Sequence, residues 1–395
     1  MKQPVPLVFI NSHPIQYFAP LYRQIVRDEA GTFDLRVLYL TDETVRGYVD
    51  REFGSRVAWD VPLLDGYPYQ FIRNHSWKPS LYNGFFGLLN WSLVNELRRL
   101  PKGSIVVSHG WAYASNLLAL WVAWALGHTV CLRGDNPLAH ERFKPRPKRT
   151  LRWLFLKTLV FSVTDYVLFV GQQNRRLYES FGVPNRKLIF VPHAVDNERF
   201  RAQATEYGPL RTTLKAELGL AGRRVLLCVG KLIAKKRPFD VLLAYERLRE
   251  RRPDVALVFV GDGELRPALE DYCTRQNLPD VRITGFVNQT GMARYYAVGD
   301  VLVMASGAGE TWGLAVNEAM NFALPVVLSD LTGCADDLVE PGRNGLVFPT
   351  GDWVALADAL ETVLDSDRIS GPASAERVRA YSYETLIAGL KTIPT

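Results

Sequence analysis

Cysteine is scarce in this sequence, and what there is lies scattered. Cys131, Cys228, Cys273 and Cys334 form no CxxC and no Cys/His spacing. That argues against a disulfide framework and a structural zinc, and points to a reducing cytosol. Long apolar runs are missing too. The longest, LLALWVAWAL at 117–126, is about half of what a spanning helix needs and reads as a core helix. At the N-terminus one Lys precedes PVPLVFI, too short an apolar region for a signal peptide. There is no low-complexity segment and no short repeat.

What is present points to two domains. A chain of 395 residues is too long for one ordinary core, and 48% hydrophobic with 22% charged content is that of a soluble globular protein. Charge is unevenly placed. Residues 1–200 hold 25 Lys+Arg against 16 Asp+Glu, a net +9, so residues 201–395 carry the −3 that completes the overall +6. One domain, then, is expected to meet an anionic surface.

Both halves alternate short β-branched runs with helical stretches. The first half offers PLVFI (6–10), LRVLYL (35–40), SIVVSH (104–109), TVCLRG (129–134), YVLFVG (166–171) and LIFVPH (188–193). The second offers RVLLCVG (224–230), ALVFVGDG (256–263), VRITGF (281–286), VLVMAS (301–306), PVVLSD (325–330) and GLVFP (345–349). Such alternation predicts an α/β protein of parallel βαβ sheets, two doubly wound Rossmann-like domains facing a central cleft. The polar stretch 196–224 is the expected junction, giving domains of 1–200 and 208–375. The tail YSYETLIAGLKTI (381–393) is one more helix, expected to pack back on the first domain.

The chemistry concentrates in GAGETWGLAVNEAMNFALPVVLSD (307–330). A helix beginning near Gly313 would present the amides of Gly313, Leu314 and Ala315 to an anion. Glu310 before it and Glu318 within it can then take hydroxyls on either side of a diphosphate, the pattern of a nucleotide sugar. In isolation, both glutamates read as ordinary solvated helix acids. VLLCVGKLIAKKRPFDVLL (225–243) adds Gly230 and four cations, Lys231, Lys235, Lys236 and Arg237, at a strand's carboxyl end. Alone, such a loop is a solvated one. FVGDGELRPALE (259–270) has Arg266 where a dinucleotide fingerprint needs its third glycine, so hydride transfer is a weak reading.

Together with ITGFV, YYAVGDVLVMAS and GRNGLVFPTGD, these pieces resemble the retaining nucleotide-sugar glycosyltransferases of the GT-B fold, glycosyltransferase family 4. The resemblance covers nearly all of 224–352. It implies that Glu310 holds donor-sugar hydroxyls, that Glu318 binds the ribose, that Lys231 and Lys236 bind the diphosphate, and that the backbone around Val287 meets the base. Three departures stand out. Lys231 replaces a usual Arg and loses its bidentate fork. NSHPIQYF (11–18) replaces the usual glycine pair of the first loop. In TGCADDLV (332–339) Asp337 takes the place of a common glutamate.

In the first half, VVSHGWAYASN (106–116) resembles the family's active-site histidine segment, which would make His109 a catalytic-site residue; the alternative is a structural histidine at a strand end. His13, Arg133 and Asp135 also follow strands and are candidates to line the cleft on the acceptor side. Arg142 to Lys157 carries seven cations and no acid, interleaved with Leu151, Trp153, Leu154, Phe155 and Leu156. That suits an anionic membrane surface, or equally a helix with one buried face. Nucleic acid lacks any supporting motif. Asp365-Ser-Asp367 spells DxD, the metal pair of another glycosyltransferase fold, but no strand precedes it and it reads as an exposed turn.

The expected activity is therefore a retaining, metal-independent transfer from a nucleoside-diphosphate sugar to a hydroxyl acceptor, a glycan, lipid-linked glycan or small molecule. No cofactor is expected. The enzyme would be cytoplasmic and could sit peripherally on a membrane's cytosolic face. A nucleotide-sugar epimerase, a phosphorylase and a non-catalytic nucleotide-sugar binder on the same fold are the alternatives.

Overall fold

The computed structural model describes residues 3–46, 48–50, 55–57 and 59–394. The chain folds as two compact units. The first comprises Met1–Tyr48, Val61–His193 and Tyr383–Thr395; the second comprises Val49–Asp60 and Ala194–Ser382.

Strands β1 (Val5–Asn11), β2 (Phe33–Tyr39), β3 (Tyr48–Asp50), β4 (Ser55–Val57), β5 (Tyr69–Phe71), β6 (Ile105–His109), β7 (Thr129–Arg133), β8 (Tyr166–Phe169) and β9 (Leu188–Phe190) come first. Seven of them form one sheet in the order β5-β2-β1-β6-β7-β8-β9, while β3 and β4 pair separately. The second unit contains β10 (Arg224–Val229), β11 (Val255–Val260), β12 (Val281–Ile283), β13 (Val301–Met304), β14 (Val326–Ser329) and β15 (Gly345–Phe348), ordered β12-β11-β10-β13-β14-β15. The strand pairings in both large sheets are parallel, with Leu7 opposite both Leu35 and Ile105, and Leu226 opposite both Leu257 and Val301. Because helices cover both faces, the central strands read as unbroken apolar runs; in β11, VALVFV, every residue is buried.

Every apolar run proposed as a strand becomes one, most of them losing their last residues to the following turn. β5 escapes a sequence reading: its YQF is short and mostly exposed at the sheet edge. Asn90 secures that edge from below, its Nδ2 donating to Leu40 O at 2.9 Å and Ile72 O at 2.7 Å.

Three expectations change. First, 196–224, the expected junction, lies wholly within the second unit. Asp196 caps the helix Asn197–Tyr207 by accepting the Arg199 amide at 3.0 Å, and Phe200 is fully buried against Tyr296 and Phe322. The boundary falls at His193/Ala194, and 49–60 goes with the second unit rather than the first: Asp60 accepts the Thr290 amide at 3.1 Å. Second, 117–126 is only half core. The helix Ala114–Ala125 buries Ala119, Leu120 and Ala123, whereas Trp121 and Trp124 on its other face are exposed. A helix lying on one sheet face buries one stripe, whatever the polarity of the rest. Third, Arg237, one of the four loop cations, is already partnered: its guanidinium grips Asp240 at 2.6 Å.

The last helix, Tyr383–Lys391, belongs to the first unit. Tyr383 donates to Tyr17 O at 2.8 Å, and Lys391 pairs with Glu29 at 2.6 Å.

Phe200→Ala should lower the second unit's stability by roughly 3–5 kcal/mol, as expected for deleting a buried aromatic ring. A guanidinium titration followed by tryptophan emission and circular dichroism checks this. An unmoved midpoint would mean that 197–207 is a detachable connector after all.

Candidate functional site

In an open parallel sheet, ligands settle at the carboxyl ends of the two strands where the order reverses. In the second unit these are β10 and β13; in the first, β1 and β6.

After β10 the chain turns through Gly230 and Lys231 into the short 3-10 turn Ala234–Lys236; after β13 it runs through Ser306 to Gly313. The Gly307 amide donates to Lys235 O at 2.8 Å and ties these loops together. Across them, Lys236 Nζ forms an ion pair with Glu310 Oε2. The same carboxylate oxygen accepts the Ser306 hydroxyl at 3.1 Å. Ser306 is itself held, because its carbonyl accepts Ser329 Oγ at 2.6 Å. A cation and a carboxylate predicted from separate motifs therefore form one unit of charge, oriented by a serine that no motif had marked.

Gly313 follows with φ of +99°, a left-handed residue that opens the helix Leu314–Asn321. A Cβ there would lie 2.8 Å from Met304 Sδ, so the turn excludes any larger residue on two grounds. The amides of Gly313, Leu314 and Ala315 head the helix, where no preceding turn supplies acceptors. Trp312, buried beneath, fixes the turn by donating Nε1 to Asn317 Oδ1 at 2.8 Å.

Glu318 is not a solvated helix acid. It is only 2% exposed, and its Oε2 accepts the hydroxyl of Tyr296. Lys231 and Val287 are both half-buried, in the turns after β10 and β12. The glycines of VGDG have a packing reason: a Cβ on Gly261 would come within 1.9 Å of Gly230 O. Asp337 is buried, accepting Tyr381 Oη at 2.9 Å while its carbonyl takes Arg377 Nε at 2.7 Å. Asp365 lies exposed at a helix end and pairs with Arg252. Among the described residues, no group of three or more His, Cys, Asp or Glu is arranged to hold a metal ion.

In the first unit, His109 ends β6 and stands in register with Arg133 at the end of β7. The imidazole lies between Phe18 (centroids 4.7 Å apart) and Phe9 (5.7 Å), and Nε2 has no hydrogen-bond partner among the described residues. Burial holds its pKa well below the usual imidazole range, with the charges of Arg133 and His193 adding to that. Arg133 is buried, donates Nη2 to Pro192 O at 3.2 Å and stacks 5.3 Å from the centre of Phe18; burial pulls its pKa down to about 10. Asp135 lies 3.6 Å from His193 Nε2. His13 touches Ser12 Oγ through Nδ1 at 2.9 Å, and burial takes its pKa down to about 4. Thus His109, Arg133 and Asp135 do share one edge, joined by His193, which went unmarked within the strand LIFVPH. Its position one turn beyond β9 was the available signal.

Over their full lengths, known structures share this architecture. The chain overlays the Anabaena protein Alr3699/HepE in complex with UDP with a TM-score of 0.72, at 16% identity over 98% of each chain. It overlays the Thermosynechococcus elongatus sucrose-phosphate synthase with a TM-score of 0.65, at 19% identity over 98% and 97%. The fold is that of the GT-B glycosyltransferases. Residues 211–385, which contain Lys231, Lys236, Glu310 and Glu318, match the family model of the glycosyl transferases group 1. Among curated proteins, the GDP-mannose-dependent alpha-(1-6)-phosphatidylinositol monomannoside mannosyltransferase of Mycobacterium tuberculosis is 30% identical over 238 residues, 58% of this chain and 60% of that protein. The alpha-D-kanosaminyltransferase of Streptomyces kanamyceticus is 32% identical over 174 residues, 44% of each. The matches thus span about three-fifths or less of these relatives' length.

The buried histidines give a pH dependence of fixed sign. Both His13 and His109 have folded pKa values below the unfolded value near 6.5, so the unfolded chain binds more protons as pH falls below it. Stability should therefore decline between pH 6.5 and about 4, and the slope should flatten in His13→Gln/His109→Gln. Urea midpoints across that range measure it. An unchanged slope in the double variant would place the proton uptake elsewhere.

Proposed function

We propose that the protein is a retaining glycosyltransferase of family 4, moving a sugar from a nucleoside-diphosphate donor to a hydroxyl acceptor. The observation that carries this is the Lys236–Glu310 pair, held by Ser306 beside the left-handed Gly313 turn at the reversal point of the second sheet. That arrangement puts a cation, a carboxylate and a helix N-terminus where a diphosphate and a polyhydroxyl ring need them.

In this reading the amides of Gly313, Leu314 and Ala315 receive the diphosphate, aided by Lys231, Lys236 and the close backbone at Gly230. Glu310 accepts hydroxyls of the donor sugar, and Glu318 those of the ribose, where its buried carboxylate keeps one oxygen on Tyr296. The backbone at Val287 meets the base. As the anomeric carbon–oxygen bond breaks, negative charge grows on the leaving phosphate, and Lys231, Lys236 and the helix dipole stabilise it without a metal or cofactor. The acceptor oxygen bonds to the anomeric carbon from the same face, and its proton passes to the departing phosphate oxygen. His109, neutral near pH 7 because it is buried, positions sugar or acceptor through Nε2; His13, Arg133 and Asp135 serve the acceptor side.

The mannosyltransferase relative is named for GDP-mannose and a phosphatidylinositol mannoside. A lipid-linked acceptor suits this chain as well, because the basic stretch 142–157 offers a contact for the cytosolic face of a membrane. No helix among the described residues is long and apolar enough to cross one.

Glu310→Gln and Lys236→Ala should each lower turnover by about 10²–10³-fold with little change in unfolding midpoint. The donor is found first, by thermal shift against nucleotide sugars; a ligand at a hundredfold its Kd adds about 2.7 kcal/mol. Near-normal turnover in Glu310→Gln with that donor would refute the assignment.

A further inference from the structure

The exposed half of the helix Ala114–Ala125 and the basic segment that follows β7 come together on the surface of the first unit. Trp121 donates Nε1 to Leu159 O at 3.0 Å, tying that helix to the turn Leu156–Val160 that continues the helix Arg146–Phe155. Along this seam Trp124 is 50% exposed, Leu151 70% and Leu154 52%, and Trp121, Trp153 and Leu159 are also exposed. The helix 114–125 contains no charged residue at all. A packed core helix hides its leucines, and a solvated one replaces them. This face does neither.

Its charges have one sign. The one acid within residues 138–160, Glu141, is buried and already takes Lys144 and Arg152. Arg152 in turn lies over the rings of Trp111 and Phe181, at 5.6 and 5.8 Å. The cations left facing outward are Arg142, Arg146, Lys148, Arg149 and Lys157, the last 4.5 Å from the centre of the Trp153 ring. Beside them opens a cavity of about 480 Å³, whose lining includes Arg146, Arg149, Thr150, Trp153, Phe181 and Glu141, the carboxylate already paired with Lys144 and Arg152.

We infer that this face docks on an anionic phospholipid bilayer: Trp121, Trp124, Leu151, Leu154 and Leu159 enter the interface, and Arg146 and Arg149 hold a headgroup phosphate at the cavity. Three observations select that occupant. Aliphatic side chains on one face with arginines and lysines around them match an interfacial helix. Paired tryptophans sit at headgroup level, where an apolar ring with an N–H donor is best placed. The uncompensated positive charge complements an anionic leaflet. Stacking on nucleic acid would use the tryptophans but would leave three exposed leucines without a role. The inference deepens the membrane part of the function proposed above, yet it rests on surface residues that take no part in sugar transfer.

The test is co-sedimentation of the full-length chain with vesicles of phosphatidylcholine alone and with about 30 mol % phosphatidylglycerol. Binding should appear only with the anionic lipid, fall at least tenfold when salt is raised to about 0.5 M, and blue-shift tryptophan emission. Brominated acyl chains should quench that emission, and Trp121→Phe/Trp124→Phe should remove most of the quenching. Leu151→Ser/Leu154→Ser and Arg146→Gln/Arg149→Gln should each weaken binding at least tenfold while keeping the circular dichroism spectrum and unfolding midpoint. Glu310→Gln should bind like the parent, so a failure of the catalytic reading leaves this result standing. Equal binding to neutral vesicles, full binding by both surface variants, or a dimer in solution that the leucine variant dissociates would each overturn the inference.

Discussion

All the chemistry of this protein follows from strand direction. With every strand of a large sheet running one way, every strand ends at the same edge, and the loops that follow the strands gather there. The ordering around β1 and β10 then opens a gap at that edge, because successive connections depart to opposite sides. Glu310 and Lys236 are 74 residues apart in sequence, yet they meet because β10 and β13 are neighbours. His109 and Arg133 meet for the same reason one sheet away. The helices and buried runs elsewhere serve to keep those strand ends fixed.

Within that frame the two units handle charge differently. The second holds a partly buried pair of cation and carboxylate with a glycine turn beside it, an arrangement that can exchange partners when an anion arrives. In the first, burial keeps His109 neutral beside Arg133, whose pKa falls to about 10 and which stays cationic. A neutral imidazole in an aromatic slot can hold a hydroxyl without competing for a proton.

Much of this was legible in advance, for identifiable reasons. Buried parallel strands are short, continuous and β-branched, so all the large-sheet strands except β5 could be read directly. The glycine at 313 announced itself because the helix after it is apolar and the acids around it are not. What was illegible depended on tertiary neighbours. Phe200 looks like one apolar residue in a polar stretch, and only Tyr296 and Phe322 make 197–207 part of a core. Glu318 reads as a surface acid until Tyr296 is placed over it. Trp121 and Trp124 read as core because hydrophobicity along a helix does not say how many faces are covered. Arg237 reads as one more solvated loop cation until the helix after it supplies Asp240.

The interleaved connectivity has a consequence for synthesis. The first unit takes its β1-to-β9 sheet from the chain's beginning but receives the helix Tyr383–Lys391 only after the whole second unit has been made. Gly389 fits so tightly on β9 that a methyl there would stand 2.2 Å from Phe190 O. Domains ordinarily mature in the order in which they leave the ribosome. Here the unit whose sheet is made first is completed last, when Tyr383, Leu386, Ile387 and Leu390 of that helix are buried.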